Sequence, residues 1–376
     1  MPGPLHGVKV LELGSIGPGP FAAMLLADMG AEVLRVNRAG AADMFPKQFD
    51  VTQRSRAATV SADLKHEQGR ELVLKLAESA DALIEGFRPG VLERLGIGPD
   101  ELLARNPRLV VGRMTGYGQD GPMAPVAGHD INYISLAGAL GPVARKGERP
   151  LFPLNLVGDY GGGAMFLAFG IVCGILEARS SGQGQVIDAA MVDGAALLTS
   201  LMHGMRAAGA WNDTPGTNLL DSGAHFYEVY TASDGGHIAV GAIEPQFYAR
   251  LLELLEIAPE EMPQWEIALW PEFKERLAAL FATRTRDQWA ALLEPEEACA
   301  TAVLGLAEAA EHPHMQSRGS FCELNGLTQP AAAPRFSRTP GEARASGTDG
   351  AAVLGAWGVE PGEQARLSDA GALTVS

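Results

Sequence analysis

The chain has 376 residues, of which 47% are hydrophobic, and its formal net charge at pH 7 is −16. This length is sufficient for one large domain or two moderate domains with substantial cores. The acidic excess argues against binding to nucleic acid or to anionic membrane surfaces, because both carry negative charge.

The first forty residues predict a β-α-β unit. Residues 7–14 predict a strand, a loop follows at 15–20, and residues 21–29 predict a helix that a glycine closes. Residues 31–37 predict a second strand, parallel to the first. The loop lacks the GxGxxG pattern, and Asn37-Arg38 stands where an NAD site usually carries an acid. A cation suits a ribose phosphate, so the loop favours a phosphorylated nucleotide other than NAD.

Strands and helices continue to alternate up to residue 112. Strands are predicted at 58–63, 82–85 and 109–112, with a helix at 69–79, and a long helix-rich stretch covers 164–210. This alternation predicts an α/β fold whose large domain contains an open, Rossmann-like sheet.

The pattern changes after residue 226. Short strands at 226–230 and 237–241 flank the turn 233–236, and helical segments continue to about residue 310. We therefore predict a second, smaller α+β domain. Residues 328–350 predict a surface connector, and a short helix at 353–358 follows it. The predicted division is a large N-terminal domain at 1–186, a helical linker at 187–228, the small domain at 229–319, a linker at 320–330 and a C-terminal return to the large domain at 331–376.

The cysteines and the apolar segments bear on the compartment. Cys173, Cys299 and Cys322 are odd in number and widely spaced. They predict neither a disulfide framework nor a zinc site, and we expect small buried apolar residues. The N-terminal residues lack the basic and apolar regions of a signal peptide, and the apolar run 164–176 is short for a membrane span. We expect a cytoplasmic protein without a membrane span.

Two glycine-rich segments carry an imidazole and a carboxylate. His129 follows Gly128, and Asp159 follows Gly158. A racemase without a cofactor needs two bases at one carbon: one removes a proton from one face, and the conjugate acid of the other returns a proton to the opposite face. Spacing alone does not establish that these two groups face each other, and local hydrogen bonding is the alternative.

Six segments resemble the family III coenzyme A transferases, the CaiB/BaiF family. They are the opening strand with its GPGP loop, ADLK at 62–65, EGFRPG at 85–90, GHD at 128–130, NLVGD at 155–159 and GQGQVIDA at 182–189. Within the family the chain is most similar to the α-methylacyl-CoA racemases. Transferase members usually carry an aromatic or aliphatic residue at the position of His129 and a Gln a few residues later, where this chain has Ile134.

The resemblance implies racemization or epimerization of 2-methylacyl-CoA thioesters at the α-carbon, through an enolate. It assigns the two acid/base roles to His129 and Asp159, and the orientation of the histidine to Glu244. No metal, flavin or pyridoxal phosphate is implied, and coenzyme A is part of the substrate. The enolate oxygen would meet a backbone N–H near Asp130. The sequence leaves open whether the environment raises the pKa of Asp159 or a helix N-terminus opposes that shift.

The resemblance further implies a coenzyme A and substrate site. Cations for the phosphates would come from Arg38, Lys65, Arg88 and Arg94, and the adenine pocket from Ala62, Asp63, Leu64 and Lys65. Residues near the acyl arm would be Gly128, Asp130, Ile131, Asn132 and Tyr133. The alternatives are a solvated surface position for each arginine, a helix cap for Asp130 and a core position for Tyr133.

An interlocked homodimer is also implied, in which Glu244 reaches His129 from the other chain. Two other functions stay open. A coenzyme A transferase would use Asp159 as a nucleophile and form an aspartyl-CoA thioester, against which His129 and the missing Gln argue. A non-catalytic protein would only bind coenzyme A.

Overall fold

The computed structural model describes residues 3–40 and 51–375. These residues form the strands β1 Lys9–Leu13, β2 Glu32–Arg38, β3 Ala58–Ala62, β4 Ala82–Glu85, β5 Val110–Thr115, β6 Gln185–Ala190, β7 Tyr227–Thr231, β8 His237–Gly241, β9 Ala300–Ala302, β10 Phe321–Leu324, β11 Leu327–Pro330 and β12 Leu373–Val375. The α-helices are α1 Pro18–Asp28, α2 Glu67–Glu78, α3 Val91–Leu95, α4 Pro99–Arg105, α5 Asp130–Leu136, α6 Met165–Ser181, α7 Met191–Leu198, α8 Ser200–Ala207, α9 Pro245–Leu254, α10 Trp270–Phe281, α11 Arg286–Leu293, α12 Leu306–Glu311, α13 Pro313–Ser317, α14 Gly350–Ala356 and α15 Pro361–Asp369. A π-helix covers Leu156–Ala164, and short 3-10 helices cover Val51–Gln53, Pro259–Glu261 and Ile267–Leu269.

The chain divides into two compact units. The first unit comprises Met1–Ala137, Pro153–Leu198 and Pro313–Ser376, and the second unit comprises Gly138–Phe152 and Thr199–His312. This grouping differs from the predicted division, which ended the N-terminal part of the large domain at residue 186. Strand β6 spans that position and lies wholly within the first unit. Segment 138–152 joins the second unit, where Nη1 of Arg145 lies 2.8 Å from Oε1 of Glu228. Such a long-range pairing leaves no mark in local composition.

A seven-stranded sheet forms the centre of the first unit. Its order is β12-β3-β2-β1-β4-β5-β6, and every pair is parallel except β12 with β3. Leu11 of β1 pairs with Leu34 of β2 and with Leu83 of β4. The predicted α/β fold with a parallel central sheet is confirmed. The strand order reverses between β1 and β4, and ligands of open α/β sheets bind at the carboxyl ends of the strands beside such a reversal.

Hydrophobic layers cover both faces of this sheet. Leu11 and Leu13 belong to one layer with residues of α2 and α14, whereas Val10 belongs to the other layer with residues of α1 and α6. Successive side chains of a strand point to opposite faces, so strands buried on both sides read as nearly continuous apolar runs. This explains why the core strands were predictable from sequence.

Helix α1 begins earlier than the sequence predicts. Pro18 and Pro20 were placed in a loop, but they occupy the first turn of the helix, after Gly17. Proline fits a first turn because its φ is already helical and its missing N–H would have no partner there. The loop at the end of β1 is therefore only a few residues long.

Two edge elements and a hairpin escaped prediction. The helix-rich stretch 164–210 contains β6, which pairs on one side with β5 and is mostly exposed, so it lacks a buried apolar pattern. The chain ends in β12, which pairs with β3. The predicted linker 320–330 contains the hairpin of β10 and β11. Asn325 and Gly326 have φ of 54° and 74°, as a two-residue Asn-Gly hairpin turn requires.

The helical stretch Leu156–Ser181 is long and apolar enough, by length and composition, to cross a membrane. This is weak evidence for a span, because a core helix of a globular protein has the same properties. Its inner face packs against the sheet: a Cβ at Gly112 of β5 would lie 2.7 Å from Leu167 and 2.8 Å from Ile171. This helical stretch therefore covers one face of the sheet.

The outer face of α6 exposes large apolar side chains. Met165, Phe169, Val172 and Leu176 repeat at helical spacing, and Phe169 and Leu176 are each 70% exposed. Cys173 lies on the same helix and is also exposed, as is Cys299 in the second unit. The expectation that the cysteines are buried is therefore wrong for these two.

The second unit has its own sheet and core. Strands β7, β8 and β9 form an antiparallel sheet, as the sequence predicts for β7 and β8. Its core includes Phe226, Phe281 and Trp289. His225 lies fully buried in this core, where Nε2 contacts the hydroxyl of Tyr248 at 2.7 Å. Burial lowers the pKa of His225 to about 4.

Candidate active site

The candidate site of the first unit lies at the carboxyl ends of the central strands, where the strand order reverses. The loops after β1 and β4 meet there: a Cβ at Gly86 would lie 3.0 Å from the side chain of Ser15. Gly17, in the loop after β1, has a φ of 71°, and a Cβ at this position would lie 3.4 Å from Oδ2 of Asp159. The short loop thus brings backbone close to the predicted carboxylate base.

Asp159 lies in the π-helix, which contacts α1, α5 and α7. Nδ2 of Asn155 donates a hydrogen bond of 3.1 Å to Oδ2 of Asp159. Sequence reasoning quoted Asn155 only as part of a motif and gave it no role. Its position four residues before Asp159, one turn earlier on a helix, was the available signal.

The surroundings of Asp159 favour its protonated form. Burial raises the pKa of its carboxyl, and the nearby charge of Asp130 acts in the same direction. The hydrogen bond from Asn155 and the charge of His129 oppose this shift without cancelling it. The question that the sequence left open is thus answered by a raised pKa of Asp159, of which burial is the largest cause.

His129 precedes α5 as its N-cap residue and is exposed. Oδ1 of Asn132 accepts a hydrogen bond of 3.0 Å from the backbone N–H of His129. The backbone carbonyl of His129 in turn accepts from the N–H of Asn132 at 2.8 Å. These bonds fix the main chain of His129 and leave its imidazole at the surface of the first unit, within electrostatic reach of Asp159.

Asp130 is buried and does not cap its own helix. Its Oδ2 accepts a hydrogen bond of 2.7 Å from the backbone N–H of Asp159. The alternative that Asp130 acts as a helix cap is therefore wrong. Asp130 is the first residue of α5, and an N-cap side chain has to come from the residue before it.

Tyr133 occupies a core position. Its ring is buried and stands edge-on to Tyr117 with ring centroids 4.9 Å apart. Its hydroxyl donates to the carbonyl of Gly128, directly before His129. Burial raises the pKa of Tyr133 to about 12. The structure therefore favours the core alternative for Tyr133, whereas Ile131 and Asn132 of the same helix are exposed.

The four predicted cations all lie at or after the carboxyl ends of strands β2, β3 and β4. Arg38 ends β2 and is exposed, and Lys65 follows β3 and is exposed. Arg88 and Arg94, both exposed, flank the left-handed Gly90 after β4, and the charge of Arg88 reaches Tyr133. Arg94 lies close to Gly90, since a Cβ at Gly90 would be 3.0 Å from Nη1 of Arg94.

Two ion pairs of the buried Arg113 hold the loop after β4. Nε of Arg113 on β5 donates 2.8 Å to Glu85 at the end of β4, and its Nη1 donates 2.7 Å to Glu93 on α3. The second oxygen of Glu85 accepts from the N–H of Phe87 at 2.7 Å. The segment that carries Arg88 is thereby tied at both ends.

The segment predicted to line an adenine pocket is partly core. Ala62 and Leu64 are buried in the layer that contains α2, so their side chains pack within the protein. Asp63 accepts a hydrogen bond of 2.9 Å from the N–H of Lys65, which shapes the turn after β3.

Glu244 belongs to the second unit. It is exposed and precedes α9 as its N-cap residue, and its charge acts on the thiol of Cys299. The second unit also has an open pocket of about 690 Å³, lined among others by Trp211, Tyr227 and Cys299. This pocket contains neither of the two predicted bases.

Comparison with known proteins identifies the family. The model of CoA-transferase family III matches residues 5–347. The chain belongs to this family. The chain is 45% identical to the mouse alpha-methylacyl-CoA racemase and 41% identical to the human one, in both cases over 89% of this chain and 87% of the relative. A crystal structure of a CaiB/BaiF family protein from Brucella suis matches with a TM-score of 0.79 at 24% identity, over 95% of this chain and all of that one. The first comparisons confirm the resemblance read from the motifs, and the last one supports the fold.

Proposed function

We propose that the protein is an acyl-CoA racemase that inverts the α-carbon of 2-methylacyl-CoA thioesters. Similarity to two racemases over most of both chains supports an isomerase of this type, and the family supports an acyl-CoA substrate. The observation that carries the mechanistic part is the half-buried carboxyl of Asp159, whose pKa is raised by burial and which lies within electrostatic reach of His129.

The proposed chemistry uses two acid/base groups. A thioester acidifies its α-carbon, because the carbanion delocalises onto the carbonyl oxygen as an enolate. In one direction neutral His129 removes the α-proton and protonated Asp159 delivers a proton to the opposite face. In the other direction the carboxylate of Asp159 removes the proton and the imidazolium of His129 returns one. A backbone N–H near Asp130 would stabilise the enolate oxygen.

No metal, flavin or pyridoxal phosphate takes part in this proposal, and coenzyme A is part of the substrate. The cations Arg38, Lys65, Arg88 and Arg94 would bind its phosphates. We also propose an interlocked homodimer, in which Glu244 of one subunit orients His129 of the other. The exposed apolar face of α6 supports an association between copies, since so large an apolar surface seldom stays in contact with water. A cytoplasmic location stays a prediction.

Exchange of the α-proton in deuterated water tests the proposal. The wild type should incorporate deuterium into either enantiomer of a 2-methylacyl-CoA ester and convert each into the other. His129→Ala and Asp159→Asn should each abolish racemization, because one of the two faces then lacks its base. Each variant should still exchange the proton of one enantiomer, and the two variants should prefer opposite enantiomers. His6→Ala, a change of another exposed histidine, should behave as the wild type does.

The alternative, a family III coenzyme A transferase, predicts a different result. Asp159 would then carry an activated acyl group and coenzyme A in turn, and hydroxylamine added during turnover would modify it covalently. Trapping of Asp159 without α-proton exchange would replace the racemase proposal. Coenzyme A affinity with neither exchange nor trapping would indicate a non-catalytic binding protein.

A further inference from the structure

One hydrogen bond joins the two elements that carry the proposed bases. Asp130 follows His129 at the start of α5, and its Oδ2 accepts from the backbone N–H of Asp159 in the π-helix at 2.7 Å, across 29 positions of sequence. Asp130 is only 5% exposed. A shift of α5 relative to the π-helix would have to break this hydrogen bond.

The neighbouring glycine makes the contact possible. A Cβ at Gly158 would lie 2.6 Å from Oδ2 and 2.8 Å from Cγ of Asp130, with Ile134 at 3.1 Å on the other side. Any side chain at position 158 would therefore displace the Asp130 carboxylate, because a real Cβ essentially never lies within 3.0 Å of another heavy atom. The position of the Asp130 carboxylate thus depends on the absence of a side chain at Gly158.

The second oxygen of Asp130, Oδ1, is buried and makes no hydrogen bond within the described part of the chain. The titratable groups whose charges act on Asp159 are Asp130 and His129, both at the start of α5. The charge of Asp159 also contributes to the raised pKa of Tyr133 on α5. From the loop before α1 the uncharged Gly17 approaches Asp159. On α7, which also packs against the π-helix, the charged residue Asp193 is exposed.

We propose that Asp130 is a positioning residue of the racemase, whose carboxylate fixes the backbone of Asp159 relative to His129. The charge of Asp130 acts in addition on the carboxyl of Asp159 and favours its protonated form. This inference rests on the proposed function and assigns the side chain of Asp130 a task distinct from that of its backbone N–H. The side chain acts through Asp159 and does not touch the reacting carbon.

Two substitutions separate position from charge. Asp130→Asn keeps a carbonyl oxygen that can accept from the N–H of Asp159 but removes the charge. Its bell-shaped pH profile of kcat/KM should keep its height within roughly tenfold, while its acid limb moves to lower pH. Asp130→Ala also removes the acceptor, so kcat should fall on the order of 100-fold while KM stays within about threefold.

A substitution at the neighbouring glycine tests the same contact without changing Asp130. Gly158→Ala should reproduce the loss of kcat seen in Asp130→Ala. Asp349→Asn is the matched control, because Asp349 also accepts a backbone N–H at a helix start, from Ala352 at 2.9 Å; its pH profile should equal that of the wild type.

The outcomes distinguish this inference from the function on which it rests. An acid limb of Asp130→Asn that stays at its wild-type position, or a wild-type kcat in both Asp130→Ala and Gly158→Ala, would overturn the positioning role while wild-type exchange leaves the racemase intact. Absence of α-proton exchange in the wild type would instead overturn the function itself. If Asp130→Ala does not fold, Asp130→Asn and Gly158→Ala still decide the matter.

Discussion

Asn155 donates a hydrogen bond of 3.1 Å from Nδ2 to Oδ2 of Asp159, one helical turn further along the chain. This hydrogen bond stabilises the ionised form of the Asp159 carboxyl. Burial of the carboxyl and the charge of the neighbouring Asp130 instead favour its protonated form. The pKa of Asp159 is therefore set by opposing contacts, and each contact can be removed separately.

Asn155→Ala should move the acid limb of the kcat/KM profile to higher pH. A donor to the charged form lowers the pKa of a carboxyl, so its loss raises that pKa further. The acid limb should thus move in the direction opposite to that expected for Asp130→Asn, so that comparison of the two variants tests both contacts of Asp159. The profile should be measured by α-proton exchange between pH 5 and 9, and a shift of both variants in the same direction would contradict this account.

Asp159→Asn should stabilise the fold at neutral pH while it abolishes racemization. The pKa of Asp159 is raised above its ordinary value of 3.8, so its ionisation costs folding free energy that appears as pH rises from the unfolded pKa to the folded pKa. Above the folded pKa the cost persists, and the neutral amide removes it. Urea unfolding at pH 7 should give a higher midpoint for the variant, and the difference should shrink as the pH approaches 4. A midpoint below that of the wild type at pH 7 would show that Asp159 is not destabilising when ionised.

Glu12→Gln should destabilise the first unit by about 3–5 kcal/mol. Glu12 is fully buried in β1, where Arg35 donates to one oxygen and Nε of Arg56 donates 2.9 Å to the other. Burial alone would raise the pKa of Glu12, but the two guanidinium groups hold it below its usual range. The amide would leave two buried cations without a counter-charge.

The control for this prediction is Glu71→Gln. Glu71 pairs with Arg105 at 2.8 Å on an exposed surface, and such pairs contribute little. Urea midpoints of the two variants should differ clearly, with that of Glu71→Gln close to the wild type. Equal midpoints would show that burial of the Glu12 network does not contribute to stability.

Gly17→Ala should reduce both stability and turnover, whereas Gly7→Ala should reduce only stability. Both glycines have positive φ, 71° and 83°, so a Cβ costs about 1 kcal/mol or more at each position. Only at Gly17 would the new methyl group approach Asp159, at 3.4 Å from Oδ2, while nothing lies within 4 Å of a Cβ at Gly7. Thermal unfolding and exchange kinetics on both variants check this. Equal turnover in the two variants would remove Gly17 from the site.

Phe169→Glu should convert a dimer into a monomer and abolish racemization. Phe169 is 70% exposed in the middle of the apolar face of α6, and a buried unpaired carboxylate in an interface is costly. Gln68→Glu adds the same charge on the exposed surface of α2 and should leave the dimer intact. Sedimentation of both variants measures whether each is a monomer or a dimer. A monomeric Phe169→Glu variant with full activity would contradict the proposal that Glu244 acts across the interface.

The sequence predicted the core of the fold but not its edges. Strands β1 to β5 are rich in buried apolar residues and alternate with amphipathic or apolar helices, and such periodicity is a local property. Strand β6 lies at an edge with polar and exposed residues, and β12 is three residues long at the end of the chain. Neither carries a local signal, because each is held by pairing with a strand that is distant in sequence.

The same distinction applies to the site. The sequence identified His129 and Asp159 as residue types suited to proton transfer, and the resemblance gave them roles. It offered two local accounts of Asp130 and Tyr133, a cap and a core residue. Only the contact between Asp130 and Asp159 decided against the cap, since that contact joins two segments whose approach depends on how α5 and the π-helix pack.

By itself, the sequence determined the parallel α/β architecture of the first unit, the family and the chemical groups available for catalysis. These follow from periodicity and from residue identity, which are properties of short segments. The tertiary structure alone decided the raised pKa of Asp159, the role of Asn155 and the exposure of Cys173 and of the apolar face of α6. Each of these depends on burial and on distances between segments remote in the chain, and such quantities exist only once the helices have packed against the sheet.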